Sequence, residues 1–254
     1  MTNMFGDLAT EGMEEAQDRI GGGFKIFNAG AYTGKIKLAY AGKSSSSDSR
    51  SVTIVLDTPT GVYTETFWVT NKKGEAFYVK DNKKYPLPGF TVIDDLCLVT
   101  TNKPLEEQPG EEKVINLYDY DQKKEIPTGV PMLVELLGKE VTFGIQKHLK
   151  NKQAKNAQSG IYEDTHESRE ENVTDKVFHY PSNLTVLEAK KGVQKAVFYG
   201  AWVEKNTDQV QDRRTIKDGA ATPQSGRTGR PNGAPPKAEG AKTTNSLFGA
   251  AAAS

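Results

Sequence analysis

Alternation of apolar and polar residues dominates this chain, and a period of two marks strands. The clearest stretch is residues 62–85, which reads VYTETFWVT, NKKG, EAFYVK and DNKKYPLP. In its first run Tyr63, Phe67 and Val69 fall on one face, and Thr64, Thr66, Trp68 and Thr70 on the other. Residues 71–74 form a short loop with Gly74 where a positive φ is needed. The β-rich run 77–80 follows at once, so the spacing predicts a hairpin between these two runs. Upstream, residues 32–43 predict a long strand with Tyr32, Ile36, Leu38 and Tyr40 on one side and Thr33, Lys35, Lys37 and Ala39 on the other. A serine-rich loop leads to a second strand, 51–57, with Val52, Ile54 and Leu56 inward. Three strands joined by short turns predict an antiparallel meander.

The period then changes. Pro86-Leu87-Pro88-Gly89 stops the sheet, and Ile93, Leu96, Cys97 and Thr100 recur at helical spacing, with Thr91 and Asp94 resembling a capping box. Residues 113–121 and 139–149 predict two more strands. Between them Pro131 and Gly138 bracket a predicted short helix over 131–137. Residues 150–173 carry lysines first and acids later with few apolar positions, and predict a polar surface excursion. Thr185 to Glu188 is a second capping-box pattern, and 193–205, with Val197, Phe198, Ala201 and Trp202, predicts a closing helix. The fold class expected is therefore mainly β: a five-stranded OB-like antiparallel barrel over residues 24–205, with strands 32–43, 51–57, 62–70, 113–121 and 139–149 and a few short helices. Residues 1–23 form an expected N-terminal arm, short and amphipathic, closed by Gly21-Gly22-Gly23. Residues 206–254 form an expected disordered C-terminal tail whose last five residues, Ala250 to Ser254, resemble a cloning scar or linker.

Composition narrows the function. Lys plus Arg number 33 and Asp plus Glu 33, so any anion-binding surface must be a local patch rather than a general property. The single cysteine, Cys97, excludes an internal disulfide framework and fits a reducing, cytoplasmic compartment. No apolar run approaches the length of a membrane span. His148, His166 and His179 lie apart, so no zinc pattern forms from neighbours. Gly34-Lys35 is followed by Ile36, which breaks the phosphate-loop pattern, and no hydrolase elbow or dinucleotide fingerprint occurs. An enzyme is not expected, nor is a cofactor.

What remains is a set of rings beside lysines. A tryptophan on the polar face of a strand is unusual, and Trp68, Phe77, Tyr78 and Tyr85 are interleaved with Lys72, Lys73, Lys80, Lys83 and Lys84. Lys35 and Lys37 add charge on the outward face of the first strand. Unpaired nucleic acid fits this mixture, because its bases stack and its phosphates need cations. The competing reading makes Trp68, Phe77 and Tyr78 core residues and the lysines a solubilising loop.

The run WVTNKKGEAFYVKDNKKYPLPGFTVIDDLCLVTTNKPL, followed by EEKVINLYDYDQKKEIPTGVPMLVELLGKEVTFGI, resembles a family of tailed-bacteriophage single-stranded-DNA-binding proteins. The resemblance extends over roughly residues 20–205, and SLFG at 246–249 is similar to the end of such proteins. It implies an OB-like barrel that coats and protects unpaired DNA in phage DNA replication, recombination and repair, in the host cytoplasm. Such proteins commonly end in an acidic tail. Here residues 219–254 carry Arg227, Arg230, Lys237 and Lys242 against Glu239, a net +3, which speaks against a tail that competes with DNA. Leu247 and Phe248 are its large apolar neighbours and are candidate contacts for a phage polymerase, helicase or recombinase. Two other classes remain open at this point: a virion structural β module, and an adaptor whose main ligand is protein.

Overall fold

The computed structural model describes residues 25–119 and 122–217. The expected arm, Leu247 and Phe248 lie outside these residues. The fold is mainly β, built on an antiparallel sheet. In chain order the elements are β1 (Gly30–Lys43), β2 (Arg50–Thr58), β3 (Gly61–Trp68), β4 (Phe77–Lys80), β5 (Lys83–Pro86), α1 (Pro88–Thr101), β6 (Gly110–Asp119), β7 (Lys124–Leu133), β8 (Glu140–Lys155), β9 (Tyr162–His179), α2 (Val186–Lys190), α3 (Phe198–Asn206) and β10 (Val210–Asp212).

The predicted meander is present. β2 pairs antiparallel with β1 and with β3, and Val52, Ile54 and Leu56 are buried as expected. β1 differs in one respect. Its register with β2 shifts between Ile36 and Leu38, so the inward series passes from Ile36 to Ala39 rather than to Leu38 and Tyr40. A bulge of this kind moves every later side chain to the opposite face and bends the strand. β1 also divides its partners: Gly30 to Lys35 pair with β8, Lys35 to Lys43 with β2, and Tyr40 meets Met132 of β7.

The sheet is not closed, and the expected five-stranded barrel is replaced by an eight-stranded open sheet. The path runs β10-β8-β1-β2-β3, with β9 on β8 and the β6–β7 arm joined through β7 to β1. β3 and β9 are not joined by a ladder. Side chains span between them instead: Glu65 of β3 accepts from the Thr174 N–H of β9 at 2.9 Å and from the Tyr63 hydroxyl at 2.7 Å, while Thr174 Oγ1 lies 3.3 Å from Tyr63 Oη. Burial pushes the Glu65 carboxyl above its ordinary value, and the hydrogen bonds from Thr174 and Tyr63 only partly oppose that.

α1 begins with Pro88 in its first turn and covers the open end of the meander with Ile93, Leu96 and Cys97, all fully buried. The expected Thr91–Asp94 capping box does not form. Thr91 Oγ1 donates back to the Leu87 carbonyl, and Asp94 instead accepts from the Leu105 N–H. Burial pushes the Cys97 thiol up to about 12, as suits a small core residue. On the other face of β8, Trp202 of α3 packs over Gly144, where a Cβ would lie 2.9 Å from the indole, and against Phe178. The capping box at Thr185 is present, and Glu188 also accepts from the N–H groups of Val197 and Phe198 at the start of α3. The backbone N–H of Phe198 first, then those of Thr185 and Val197, hold its carboxyl down to about 2. Of the apolar residues expected in the closing helix Trp202 is buried, whereas Val197 and Phe198 are exposed.

Three other expectations are corrected. Residues 131–137 are not a helix: Pro131 belongs to β7, a strand the sequence pattern missed, and only a 3-10 turn follows at Val134–Leu136. Pro127 and Pro131 are four apart, so both missing N–H groups fall on the same edge of β7, where a strand tolerates them. The polar stretch 150–173 lies at the surface but is regular. It forms the β8–β9 hairpin, in which the early lysines meet the later acids: Lys147 with Glu170 at 2.8 Å, Lys152 with Glu167 at 2.9 Å, and Lys150 with Glu171. The fold also continues beyond 206, since β10 runs parallel to β8 and Asn151 Oδ1 receives the N–H groups of Thr215 and Ile216.

Two measurements check this architecture. A Cβ on Gly34 would lie 2.4 Å from the Asp57 carbonyl oxygen, a backbone atom that cannot swing aside. Gly34→Ala should therefore cost about 1–3 kcal/mol in denaturant unfolding, the range for forced overpacking. For Glu65, the folded-state value lies above the unfolded one, so ionisation opposes folding. That cost is absent below the unfolded value of about 4.3 and grows as pH rises toward the folded value. Glu65→Gln keeps an acceptor for both donors. It should melt above the parent at about pH 8, with the gap closing toward about pH 4.

Candidate nucleic-acid interface

β3 and β4 do not form the hairpin expected from the sequence. β3 pairs with β2, while β4 and β5 make a separate two-stranded ribbon. The turn of this ribbon is Asp81-Asn82, both at positive φ, which gives the tight two-residue connection whose twist matches the strands. Register places Tyr78 opposite Tyr85 and Lys80 opposite Lys83 on one face, with Phe77 opposite Pro86 and Val79 opposite Lys84 on the other. The two tyrosine rings stack at 5.6 Å with 25° between planes. Lys84 Nζ sits 4.2 Å from the centroid of the Phe77 ring. Tyr78, Val79, Tyr85 and all three lysines are exposed, and Phe77 is half-buried. The ribbon thus presents rings and cations outward rather than into a core.

Trp68 is the last residue of β3 and is 52% exposed. The backbone beneath it is fixed: a Cβ on Gly89 would lie 2.4 Å from the Trp68 carbonyl oxygen, so the first turn of α1 rests directly on this residue. Leu87, two residues before Gly89, donates its N–H to the Ala76 carbonyl at the foot of the ribbon. Trp68 and the β4–β5 ribbon therefore stand on one support.

The loop 71–74 joins the same neighbourhood. Asn71 organises it, accepting from the N–H groups of Lys73 and Glu75 and donating to Glu75, while Gly74 takes the positive φ that the sequence predicts. Lys72 and Lys73 are left exposed, and the Lys72 carbonyl accepts from the Asp48 N–H of the β1–β2 loop. The Arg50 carbonyl accepts from the N–H groups of Val69 and Thr70, directly after Trp68, and the exposed Arg50 guanidinium lies close to Gly74 of this loop. Sequence reasoning passed over Arg50. Its position at the start of β2, directly after the serine loop, was the available signal. In residues 43–50 and 71–86 together, seven cations (Lys43, Arg50, Lys72, Lys73, Lys80, Lys83 and Lys84) stand against three acids (Asp48, Glu75 and Asp81), a local net of +4 in a chain of +0.

Lys35 and Lys37 are exposed but stand apart from this cluster. Trp68 aligns with Ser51, and Ser51 with Gly42, so Lys35 lies seven residues away along β1. That is roughly 23 Å at the rise of a strand. Lys35 is also flanked in register by Asp57 and Glu140, which offset its charge.

Two hollows of some size lie elsewhere. One of about 700 Å³ opens between the end of α1 and residues 179–190, and one of about 710 Å³ lies beside Trp202. Neither includes the rings above; an open stacking platform needs no enclosing pocket. Among the described residues no group of three His, Cys, Asp or Glu side chains is placed to hold a metal ion, and no helix is long and apolar enough to cross a membrane. His148 and His179 hydrogen-bond to Gln146 and Ser182 respectively. No model of a known protein family matches this chain, and no curated protein matches it significantly.

The exposure of Trp68 has a direct consequence for stability. A half-exposed ring contributes little to the core, so Trp68→Ala should change the unfolding free energy by about 0.5 kcal/mol or less. Its buried neighbour in sequence, Phe67, should cost about 3–5 kcal/mol when cut to alanine. Paired denaturant titrations of the two variants distinguish an outward ring from a core one.

Proposed function

We propose that this chain is a sequence-independent single-stranded-DNA-binding protein, with Trp68, the Tyr78–Tyr85 stack and the surrounding lysines as its binding surface. The observation that carries the reading is the co-location of exposed rings and a local excess of cations on one support. A stacking ring accepts any base, and lysines at strand spacing track a flexible backbone without reading sequence. The meander with α1 across its end is consistent with an OB-like origin for the platform, opened rather than closed. Lys72, Lys73, Lys80, Lys83, Lys84 and Arg50 supply the phosphate contacts; Lys35 and Lys37 would be reached only by a strand that continues along β1. The setting that follows is coating of unpaired DNA in phage replication and recombination inside the host cell, with polymerase, helicase or recombinase as further partners.

The test is a titration of labelled oligo-dT, oligo-rU and duplex DNA at several salt concentrations. Single strands should bind well ahead of duplex. With about four to six phosphates neutralised, the log–log salt slope should be roughly −3 to −4. Trp68→Ala should cost about 1–3 kcal/mol of DNA affinity with the slope nearly unchanged. Lys80→Ala with Lys83→Ala should instead flatten the slope by about one unit or somewhat more. Equal affinity for duplex and single strand would end the proposal.

A further inference from the structure

The β6–β7 arm leaves one long strand edge uncovered. β6 is ten residues long, it pairs with β7 across its whole length, and no other strand among the described residues meets its outer edge. Such an edge is a template for another strand, and natural proteins commonly blunt it with prolines, inward charges or bulges. β6 contains no proline and its ladder with β7 is unbroken. Its charged residues, Glu111, Glu112, Lys113 and Asp119, stand toward its ends, and between them Val114 is 70% and Tyr118 52% exposed.

The sequence of β6 also selects a partner. In an antiparallel pair of identical strands the two-fold axis stands normal to the sheet, which keeps each face on its own side. Only registers centred on a residue are then allowed. Centring on Ile115 sets Glu111 against Asp119 twice, a like-charge clash, and Lys113 against Leu117. Centring on Leu117 sets Ile115 against Asp119. Centring on Val114 sets Lys113 against Ile115 and Glu111 against Leu117. Centring on Asn116 alone sets, within β6, no like charges and no charge against an apolar residue: Ile115 meets Leu117, Val114 meets Tyr118, Asn116 meets its own copy, and Lys113, which within its own strand pairs with Glu111 at 2.8 Å, meets Asp119, which also accepts the Gln122 N–H. Each unlike pair occurs twice by symmetry, so two ion pairs and four apolar contacts flank one central amide pair.

We propose that two copies of this chain associate through β6, edge to edge and antiparallel, in the register centred on Asn116. The arms then form a continuous four-stranded sheet, β7-β6-β6-β7. The half-buried Ile115, Leu117 and Ile126 of each arm lie on its one face, and the Val114–Tyr118 pairs lie on the other. This dimer is independent of nucleic acid, and its failure would leave the DNA-binding reading untouched.

Sedimentation of the full chain without DNA, over a range of concentrations, should pass from 27.8 kDa to twice that mass. Single cysteines then test the register. Directly opposite residues in an antiparallel pair have Cα atoms about 4.5–5.5 Å apart, within disulfide range. Asn116→Cys should cross-link under mild oxidation at least tenfold faster than Ile115→Cys or Leu117→Cys, whose copies are displaced by two residues along the strand. Cys97 is fully buried and gives no competing reaction. Lys113→Asp should dissociate the dimer, and adding Asp119→Lys should restore it. A chain that stays monomeric at every concentration, or a dimer that cross-links equally at 115, 116 and 117, would overturn the proposal.

Discussion

The division of β1 between two partners governs this molecule. A single strand runs with β8 at its first half and with β2 at its second, and Lys35 belongs to both pairings. Such a handover needs the backbones to converge, and Gly34 permits it by leaving room for the Asp57 carbonyl. Immediately beyond, Ile36 stitches in the connection before β8: its N–H donates to the Lys139 carbonyl and its carbonyl accepts from the Gly138 N–H. The bulge after Ile36 then turns the second half of the strand. Beyond this point α1 packs against both β3 of the meander and the β8–β9 hairpin. Glu65 reaches across the remaining gap to Thr174, so the edge that a closed barrel would seal with a backbone ladder is held by a carboxylate.

Much of this was legible where one face of a strand is buried. Val52, Ile54 and Leu56, and likewise Val141, Phe143 and Ile145, alternate because one face of each strand meets the main apolar core, and the structure buries them as read. Legibility failed where burial does not set the pattern. The β8–β9 hairpin carries little apolar signal beyond residue 150, and its register is held by lysines facing acids across the strands, a relation that periodicity within one strand cannot reveal. β7 was misread because Pro131 and Gly138 imitate the ends of a helix. In β1 the bulge cannot be seen from alternation, since Tyr40 is as plausible inward as Ala39 until the register is known.

The candidate site was legible in its chemistry and not in its geometry. Trp68 lies on the polar face of its strand by alternation, and it is exposed. Yet the hairpin assigned to it was the wrong one. Asn71-Lys72-Lys73-Gly74 and Asp81-Asn82 are both turn signals six residues apart, and the second closes the tighter ribbon. Arg50 escaped notice because its proximity to Trp68 arises from pairing between strands, which the linear order hides.

The same arrangement gives the molecule two optical reporters of opposite character. The chain has two tryptophans. Trp202 is 5% exposed, wedged over Gly144, with its indole N–H donated to Asp175 at 2.7 Å. Trp68 stands half in water on the cationic side. Their emission bands are therefore separated by environment, the interior one shifted to the blue and shielded from collisional quenchers, the surface one red and readily quenched. Acrylamide or iodide thus silences one fluorophore and spares the other. Iodide, being an anion, is additionally drawn to the ring that sits among lysines, so the ratio of the two quenching constants measures the local potential at that surface without any label attached.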